Sequence, residues 1–266
     1  MKLYDAHNHL QDPRLKPHLP AIMSALQSEP IARMTVNGTS EEDWPAVLEL
    51  ARKYPQVLPS FGCHPWHVKN RTPRWQAELL RHLDAVPSPV GEIGLDRWIK
   101  GCDMPAQEEA FVWQLRLAAE RQLPVSIHCL QAWGKLVEIL QRGGPLPAGG
   151  FLLHSYAGSP QLVPGLVKLG AYFSLPGAFA RERKACQRET FLQVPLHRLL
   201  VETDAPDQLP PAERIRIPLL DGGGQALNHP ANLGAVYQFA ADLWNMPLEK
   251  FAAQIEANYL RFFAMK

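Results

Sequence analysis

Eight short runs of apolar and β-branched residues alternate with segments of helical spacing along this chain of 266 residues. The runs are KLYDAH (2–7), IARMTVNG (31–38), QVLPSFGCH (56–64), PVGEIG (89–94), PVSIHC (124–129), GFLLHS (150–155), AYFSL (171–175) and LLVETD (199–204). Strands that alternate with helices form parallel βα units. Eight such units close into a barrel at roughly 250 residues, close to the length available here. The alternative is an open doubly wound sheet, which usually places a glycine-rich phosphate loop after its first strand. None follows residue 7. The pattern therefore predicts an α/β protein, a (β/α)8 TIM barrel forming a single domain over residues 1–266.

The helical segments support this reading. PAQEEAFVWQLRLAAERQ (105–122) puts Phe111, Leu115, Ala118 and Ala119 on one face. AWGKLVEILQRG is stopped by Gly143 and Gly144. SPQLVPGLVKLG contains a proline and is expected as two short turns. A helix over NLGAVYQFAADLWNM follows a long loop at 205–230, and PLEKFAAQIEANYLRFF closes the chain.

Apolar residues make up 46% of the chain, enough for a sizeable core, and the formal net charge is +1. That balance excludes a protein that holds nucleic acid or an acidic membrane through net charge alone. Cys63, Cys102, Cys129 and Cys186 show no CxxC spacing. No charged segment followed by an apolar run marks a leader, and no apolar run reaches the roughly 18 residues of a membrane span. The expected setting is cytoplasmic, with the cysteines as free thiols.

Residues of metal-ligand type fall at the ends of the predicted strands. His7 and His9 end the first, Cys63 and His64 the third, Glu92 the fourth, His128 the fifth, His154 the sixth and Asp204 the eighth. In a barrel these ends converge on one mouth. Alternate strand residues share a face, so His7 and His9 can reach one cation. Glu92 sits among small and apolar neighbours in VGEIG, where a lone buried carboxylate costs several kcal/mol. A cation removes that cost, and each carboxylate oxygen can serve a different metal. His128 and His154 can complete a second coordination sphere, and Asp204 can bind the first metal and take a proton from water. Taken singly, His128 reads first as a hydrogen-bonded core histidine, and Glu92 can read as the partner of a basic residue and Asp204 as a turn cap. Taken jointly, they read as a metal centre. Cys63 and Cys129 lie beside it, but the histidines already supply enough nitrogen ligands.

At these residues the chain resembles the TatD family of metal-dependent hydrolases, within the amidohydrolase superfamily. The resemblance is carried by DAHNHL (5–10), GCHPW (62–66), VGEIGLD (90–96), PVSIHC (124–129), LLHSYAGS (152–159), VETDAPD (201–207) and IEANYLRFF, with Asn258 at the matching place. ETDAPD is similar to a subgroup of bacterial members. The resemblance implies a (β/α)8 barrel with two or three divalent cations (Zn, Mn or Mg). It also implies deoxyribonuclease activity, often 3′–5′ exonuclease, on single-stranded or 3′-ended DNA, with no membrane or obligate protein partner. It carries over His7, His9, Glu92, His128, His154 and Asp204 as metal ligands, with Glu92 bridging. His64 matches a histidine near the mouth that touches substrate phosphate or a further metal. One loop departs from the family pattern Arg-Asn-Glu-Pro: ALNHPANL keeps Asn228 and Pro230 but has Leu227 and His229 at the other two places. A phosphate contact from that loop is thereby in doubt. The preceding PPAERIRIPLLDGGGQ is read as a mobile rim.

These readings give a two-metal hydrolase in which Asp204, Glu92 and His64 carry the catalytic work. Glu202, two residues before Asp204, either orients a ligand histidine or pairs with an arginine. Arg97, Lys100, Arg181, Arg183 and Lys184 are read as a DNA-backbone contact set against a solvated helix face. Trp66, Trp98 and Phe179 are read as stacking platforms set against plain packing. Two competing functions remain open. One is a small-molecule amidohydrolase for a cyclic amide, ester or lactone, several of which carry a carboxylated lysine where this chain has Glu92. The other is a binding protein that has kept the fold.

Overall fold

The computed structural model describes residues 1–142 and 144–265. Eight parallel strands alternate with helices in it: β1 (Leu3–Asn8), α1 (Leu19–Gln27), β2 (Ile31–Asn37), α2 (Trp44–Lys53), β3 (Val57–Ser60), α3 (Trp75–Ala85), β4 (Val90–Asp96), α4 (Met104–Arg121), β5 (Val125–Leu130), α5 (Trp133–Arg142), β6 (Phe151–Leu153), α6 (Val163–Lys168), β7 (Ala171–Pro176), α7 (Ala185–Phe191) and β8 (Leu199–Glu202). A short antiparallel hairpin, β9 (Leu219–Leu220) and β10 (Ala226–Leu227), and two helices, α8 (Leu233–Leu243) and α9 (Leu248–Phe262), complete the chain.

β1–β2–β3 form one parallel ladder and β4 to β8 another. The two are sewn into a closed barrel at both seams. Phe61 bridges Val90, with Gly91 N donating to Phe61 O at 3.0 Å. At the other seam Asp204 N donates to His7 O (2.9 Å) and His9 N to Ala205 O (2.7 Å). The buried Asp5 carboxylate reinforces this seam, accepting from Thr203 N (3.0 Å) and Thr203 Oγ1 (2.6 Å).

Inside the barrel, Tyr4, Ala6, Leu58, Leu152, Tyr172 and Leu200 meet from opposite strands and are sealed by Tyr259, Phe262 and Phe263. The other apolar cluster lies between strands and helices, where α4 buries Phe111, Leu115 and Ala118, while Ala119 is half-buried. Gln107 and Gln114 share the buried side of α4, which apolar periodicity does not reveal. Each clamps the backbone of a neighbouring segment, a loop for Gln114 and the end of β4 for Gln107. Gln114 accepts from Cys63 N (2.7 Å) and donates to Cys63 O (3.2 Å); Gln107 does the same for Asp96 (2.8 and 2.9 Å).

Two expectations need correction. QVLPSFGCH is a strand only to Ser60, because Cys63 and His64 leave the ladder and pair instead with Gln114 and Thr39 O. Glu92 lies within β4, not at its end. The β4–β5 register breaks between Val90 and Ile93, and Glu92 N donates to Gly38 O. The segment read as a mobile rim ends in a short hairpin, in which the Asp221 carboxylate accepts from Gly223 N and Gln225 N, both at 2.8 Å. Gly224, at φ +80°, makes the turn that other residues resist.

SPQLVPGLVKLG is indeed two pieces, a 3-10 turn at Pro160–Leu162 and then α6. Of the two glycines expected to stop α5, Gly143 lies outside the described residues and Gly144 adopts φ +108°. Among the described residues, no helix is long and apolar enough to cross a membrane.

Candidate metal centre

The C-terminal ends of the strands gather the predicted residues around Glu92. Its carboxylate divides them. Oε2 lies 3.3 Å from His7 Nε2 and 3.2 Å from His9 Nε2. Oε1 lies 2.8 Å from His154 Nε2, 3.1 Å from His128 Nδ1 and 3.3 Å from His64 Nε2. Asp204 joins the first set, with Oδ1 3.7 Å from His7 Nε2 and 3.6 Å from His9 Nε2. All seven of these side chains line one patch of wall between β1, β4, β5, β6 and β8, and His7, Glu92, His64, His154 and Asp204 are buried.

Local structure explains the convergence. A register irregularity between Asp5 and Asn8 re-aims the end of β1. Gly94 lets β4 pass close beside β5, since a Cβ there would lie 1.9 Å from His128 O. Asp204 and Ser155 take left-handed conformations (φ +50° and +44°) just past β8 and β6. Residues held this way cluster at sites that need a side chain re-aimed.

Several ring orientations are fixed from outside. His9 Nδ1 donates to Asn37 O at 2.8 Å, which turns Nε2 inward. His128 Nε2 donates to Asp96 Oδ2 at 2.9 Å, leaving Nδ1 for the cluster. His64 is the reverse case: Nδ1 accepts from Trp66 N (3.2 Å), so Nε2 carries the hydrogen and His64 presents a donor. His154 Nδ1 is buried without a hydrogen-bond partner, 3.8 Å from Glu202 Oε1. Glu202 is itself buried against Ser155 N (2.8 Å), Ser155 Oγ (2.6 Å) and Ser174 Oγ. Of its two sequence readings, the histidine-facing one matches the geometry.

These contacts test whether a cation fits. His7 Nε2 and His9 Nε2 are 3.2 Å apart and share the same two carboxylates, so four electron-rich atoms meet in a buried space. Such a set is repulsive without positive charge between its members. In the metal-free protein protons supply it. Burial pulls His9 down, but Glu92 and Asp204 outweigh burial and lift it to about 9. His154 is raised well above 6.5 by Glu92 and Glu202 against its burial, while burial and His154 hold His7 well below. Nitrogen and carboxylate donors in this mixture suit a divalent ion. Three groups bring ligand atoms within 4.8 Å of one another: His7, His9 and Asp204; His64, Glu92 and His128; and His7, His154 and Glu202.

A cavity of about 1100 Å³ opens over this centre. Trp66 and Trp98 line it and are 47% and 63% exposed, so for them plain packing does not hold; Phe179 is buried. Of the five basic residues read as backbone contacts, Lys184 lines the cavity. Arg181 instead holds Leu209 O and Pro210 O, and Arg97, Lys100 and Arg183 are exposed. Arg14, Lys16 and Lys53 line it unforeseen, because nothing in their spacing separates them from other surface cations. Leu227 and His229 are buried, and His229 Nδ1 accepts from Ala231 N at 3.0 Å. Burial lowers His229 to about 4, so it is neutral at pH 7. Cys63 and Cys129 are buried, with thiols pushed up to about 12 by burial. Asp96 was missed by sequence reasoning, although it stands four residues after Glu92 on the same strand.

Comparison with known proteins agrees with this geometry. The family described as TatD related DNase matches residues 4–264. A protein of Erwinia tasmaniensis named 3′-5′ ssDNA/RNA exonuclease TatD is 34% identical over 241 residues, 88% of each chain. The Bacillus subtilis protein YabD, named an uncharacterized metal-dependent hydrolase, is 28% identical over 265 residues, 98% of each chain. The crystal structure of YjjV, a TatD homolog from Escherichia coli K12, superposes with a TM-score of 0.87 at 26% identity, covering 98% of this chain and 97% of that one. On the family match over nearly its whole length, the chain belongs to the TatD related DNase family.

Proposed function

We propose that this protein is a divalent-metal-dependent phosphodiesterase that removes nucleotides from the 3′ end of single-stranded DNA, working as one barrel domain over residues 1–266. One observation carries the reading: the two oxygens of Glu92 face two different sets of imidazoles, at 3.2–3.3 Å and 2.8–3.3 Å. His7, His9, Asp204 and Glu92 Oε2 would hold one cation; His128, His154 and Glu92 Oε1 would hold the other. Bound Zn²⁺, Mn²⁺ or Mg²⁺ would bring a water toward a pKa of about 7 and offset charge on the phosphoryl oxygens.

The chain's own groups do the rest. Asp204 lines the cavity beside His9, and its carboxylate would accept the proton of the attacking water. His64 is held at about 4 by burial and is therefore neutral, and its Nε2–H, which faces Glu92 Oε1 at 3.3 Å, would serve as the donor to a phosphoryl oxygen. Glu202 keeps the Nδ1 side of His154 facing a fixed carboxylate. The names of the relatives support a nucleic-acid substrate. The small-molecule amidohydrolase reading has Glu92 against it, a glutamate where several of those enzymes hold a carboxylated lysine. Four unpaired cysteines support a reducing, cytoplasmic setting.

The test is release of mononucleotides from a 3′-ended single strand with added Mg²⁺, Mn²⁺ or Zn²⁺ against a chelator, beside a lactone and amide panel. Metal-dependent release from the oligonucleotide is expected. Turnover confined to the lactones or amides would overturn the reading.

A further inference from the structure

Asp96 closes β4 with no exposed surface, and both its oxygens are engaged. Oδ2 accepts from Trp66 Nε1 at 2.6 Å and from His128 Nε2 at 2.9 Å. Oδ1 accepts from the amides of Trp98 (2.7 Å) and Ile99 (3.1 Å). Gln107 pins the Asp96 backbone on both sides. The carboxylate therefore has no slack of its own.

What it holds is unusual. His128 turns its other nitrogen to Glu92. Trp66 is nearly half exposed in the cavity wall, edge-on to His64 (centroids 5.0 Å) and to His128 (6.1 Å). An exposed indole is normally free to change rotamer. This one is tied through its N–H to a buried charge, a strong type of hydrogen bond. A rigid, exposed aromatic face loses little entropy on stacking a base, and such stacking is worth roughly 1–3 kcal/mol per base.

We propose that Asp96 is a positioning residue that sets the ring of His128 and the indole of Trp66 from a single oxygen, so that a nucleobase stacked on Trp66 lies at a fixed distance from the metal centre. This rests on the phosphodiesterase reading and deepens it: the base beside the scissile linkage must be unstacked, which selects single strands over duplex ends.

The test compares Asp96→Asn, Trp66→Phe and the double variant with the parent. Trp66→Phe keeps an aromatic face, smaller than the indole, and removes the N–H. Three readouts are taken: Zn²⁺ affinity by calorimetry, the indole N–H resonance of Trp66 (assigned by its loss in Trp66→Phe), and KM and kcat on a single-stranded oligonucleotide with a normal or abasic 3′-terminal residue. Trp66→Phe should raise KM several-fold on the normal oligonucleotide, leaving the abasic one and Zn²⁺ affinity unchanged. Asp96→Asn should raise the same KM, shift the Trp66 resonance and weaken Zn²⁺ binding about 10- to 100-fold, the scale for residues that orient a metal ligand. The double variant should have the KM of Asp96→Asn alone. Additive KM effects, or an Asp96→Asn protein with parental Zn²⁺ affinity and Trp66 resonance, would overturn the proposal. If the parent ignores oligonucleotides, the phosphodiesterase reading fails, while Zn²⁺ affinity and the Trp66 resonance still decide the role of Asp96. If Asp96→Asn does not fold, addition of Zn²⁺ to the parent should move the Trp66 resonance, and an unmoved resonance rejects the coupling.

Discussion

The imidazoles of His7 and His154 stack face to face, their centroids 4.0 Å apart and their planes 8° from parallel. They come from β1 and from just beyond β6, and each turns Nε2 to a different oxygen of Glu92 (3.3 and 2.8 Å). Two protonated rings would repel in that stack. One carboxylate thus holds together a pair that its own strands do not pair.

Replacing Glu92 with Gln keeps the shape and removes the charge. The variant should fold, because Glu92 N still pairs with Gly38 O. Metal-dependent turnover should drop about a hundred- to a thousand-fold, the range for losing one preorganised electrostatic group. Steady-state rates at saturating metal check this. A variant that keeps both its bound metal and its rate rejects the bridging role.

Glu202 predicts a different signature. Glu202→Gln should weaken cation affinity roughly 10- to 100-fold, with kcat recovering at high metal concentration. Glu202→Ala should also lose stability, by about 1–3 kcal/mol, because Ser155 and Ser174 are left without their acceptor. Metal titration of the rate, beside chemical denaturation, separates the two. An unchanged metal dependence in Glu202→Gln would argue that the residue is purely structural.

Gln114→Leu leaves both backbone groups of Cys63 unpaired in a buried place. The expected cost is about 1–3 kcal/mol, or several degrees in Tm for a domain of this size. Since His64 follows directly, kcat should fall too. A thermal melt matching the parent would show that water or another donor replaces the clamp.

Alkaline pH should destabilise the fold. Burial pushes Cys63 and Cys129 up to about 12 from an ordinary 9.0, and burial also raises Tyr156, Tyr237 and Tyr259 above 10.0. These groups ionise first in the unfolded chain, so the folded state binds more protons above pH 9. Stability present below that point is then lost as pH rises toward 12, at about 1.4 kcal/mol per pH unit for each proton. Circular-dichroism melts at intervals from pH 8 to 11 should show Tm falling beyond pH 9. A level Tm would refute the sign.

The alternation of strands and helices was legible because parallel strands buried on both faces read as apolar runs. The ligand-type residues were legible because barrel topology brings strand ends together. What escaped was set by partners distant in sequence. The strand ends at Ser60 and Glu92 were misjudged because Gln114, Thr39 and Gly38 take over the backbone groups there. Gln107 and Gln114 read as surface residues on a helix, and only their pairing with neighbouring backbone explains their burial. The hairpin at 219–227 was hidden because its strands are two residues each, too short to show a period. Asp96 carries no local signal of its role, since its partners Trp66 and His128 lie 30 and 32 residues away.

The final seam of the barrel is stitched by Asp204 N to His7 O and by His9 N to Ala205 O, bonds made by members and neighbours of the metal centre. Zipping the cylinder shut and assembling the reactive mouth are therefore the same event. A chain short of residue 204 has neither the seam nor the Asp204 carboxylate.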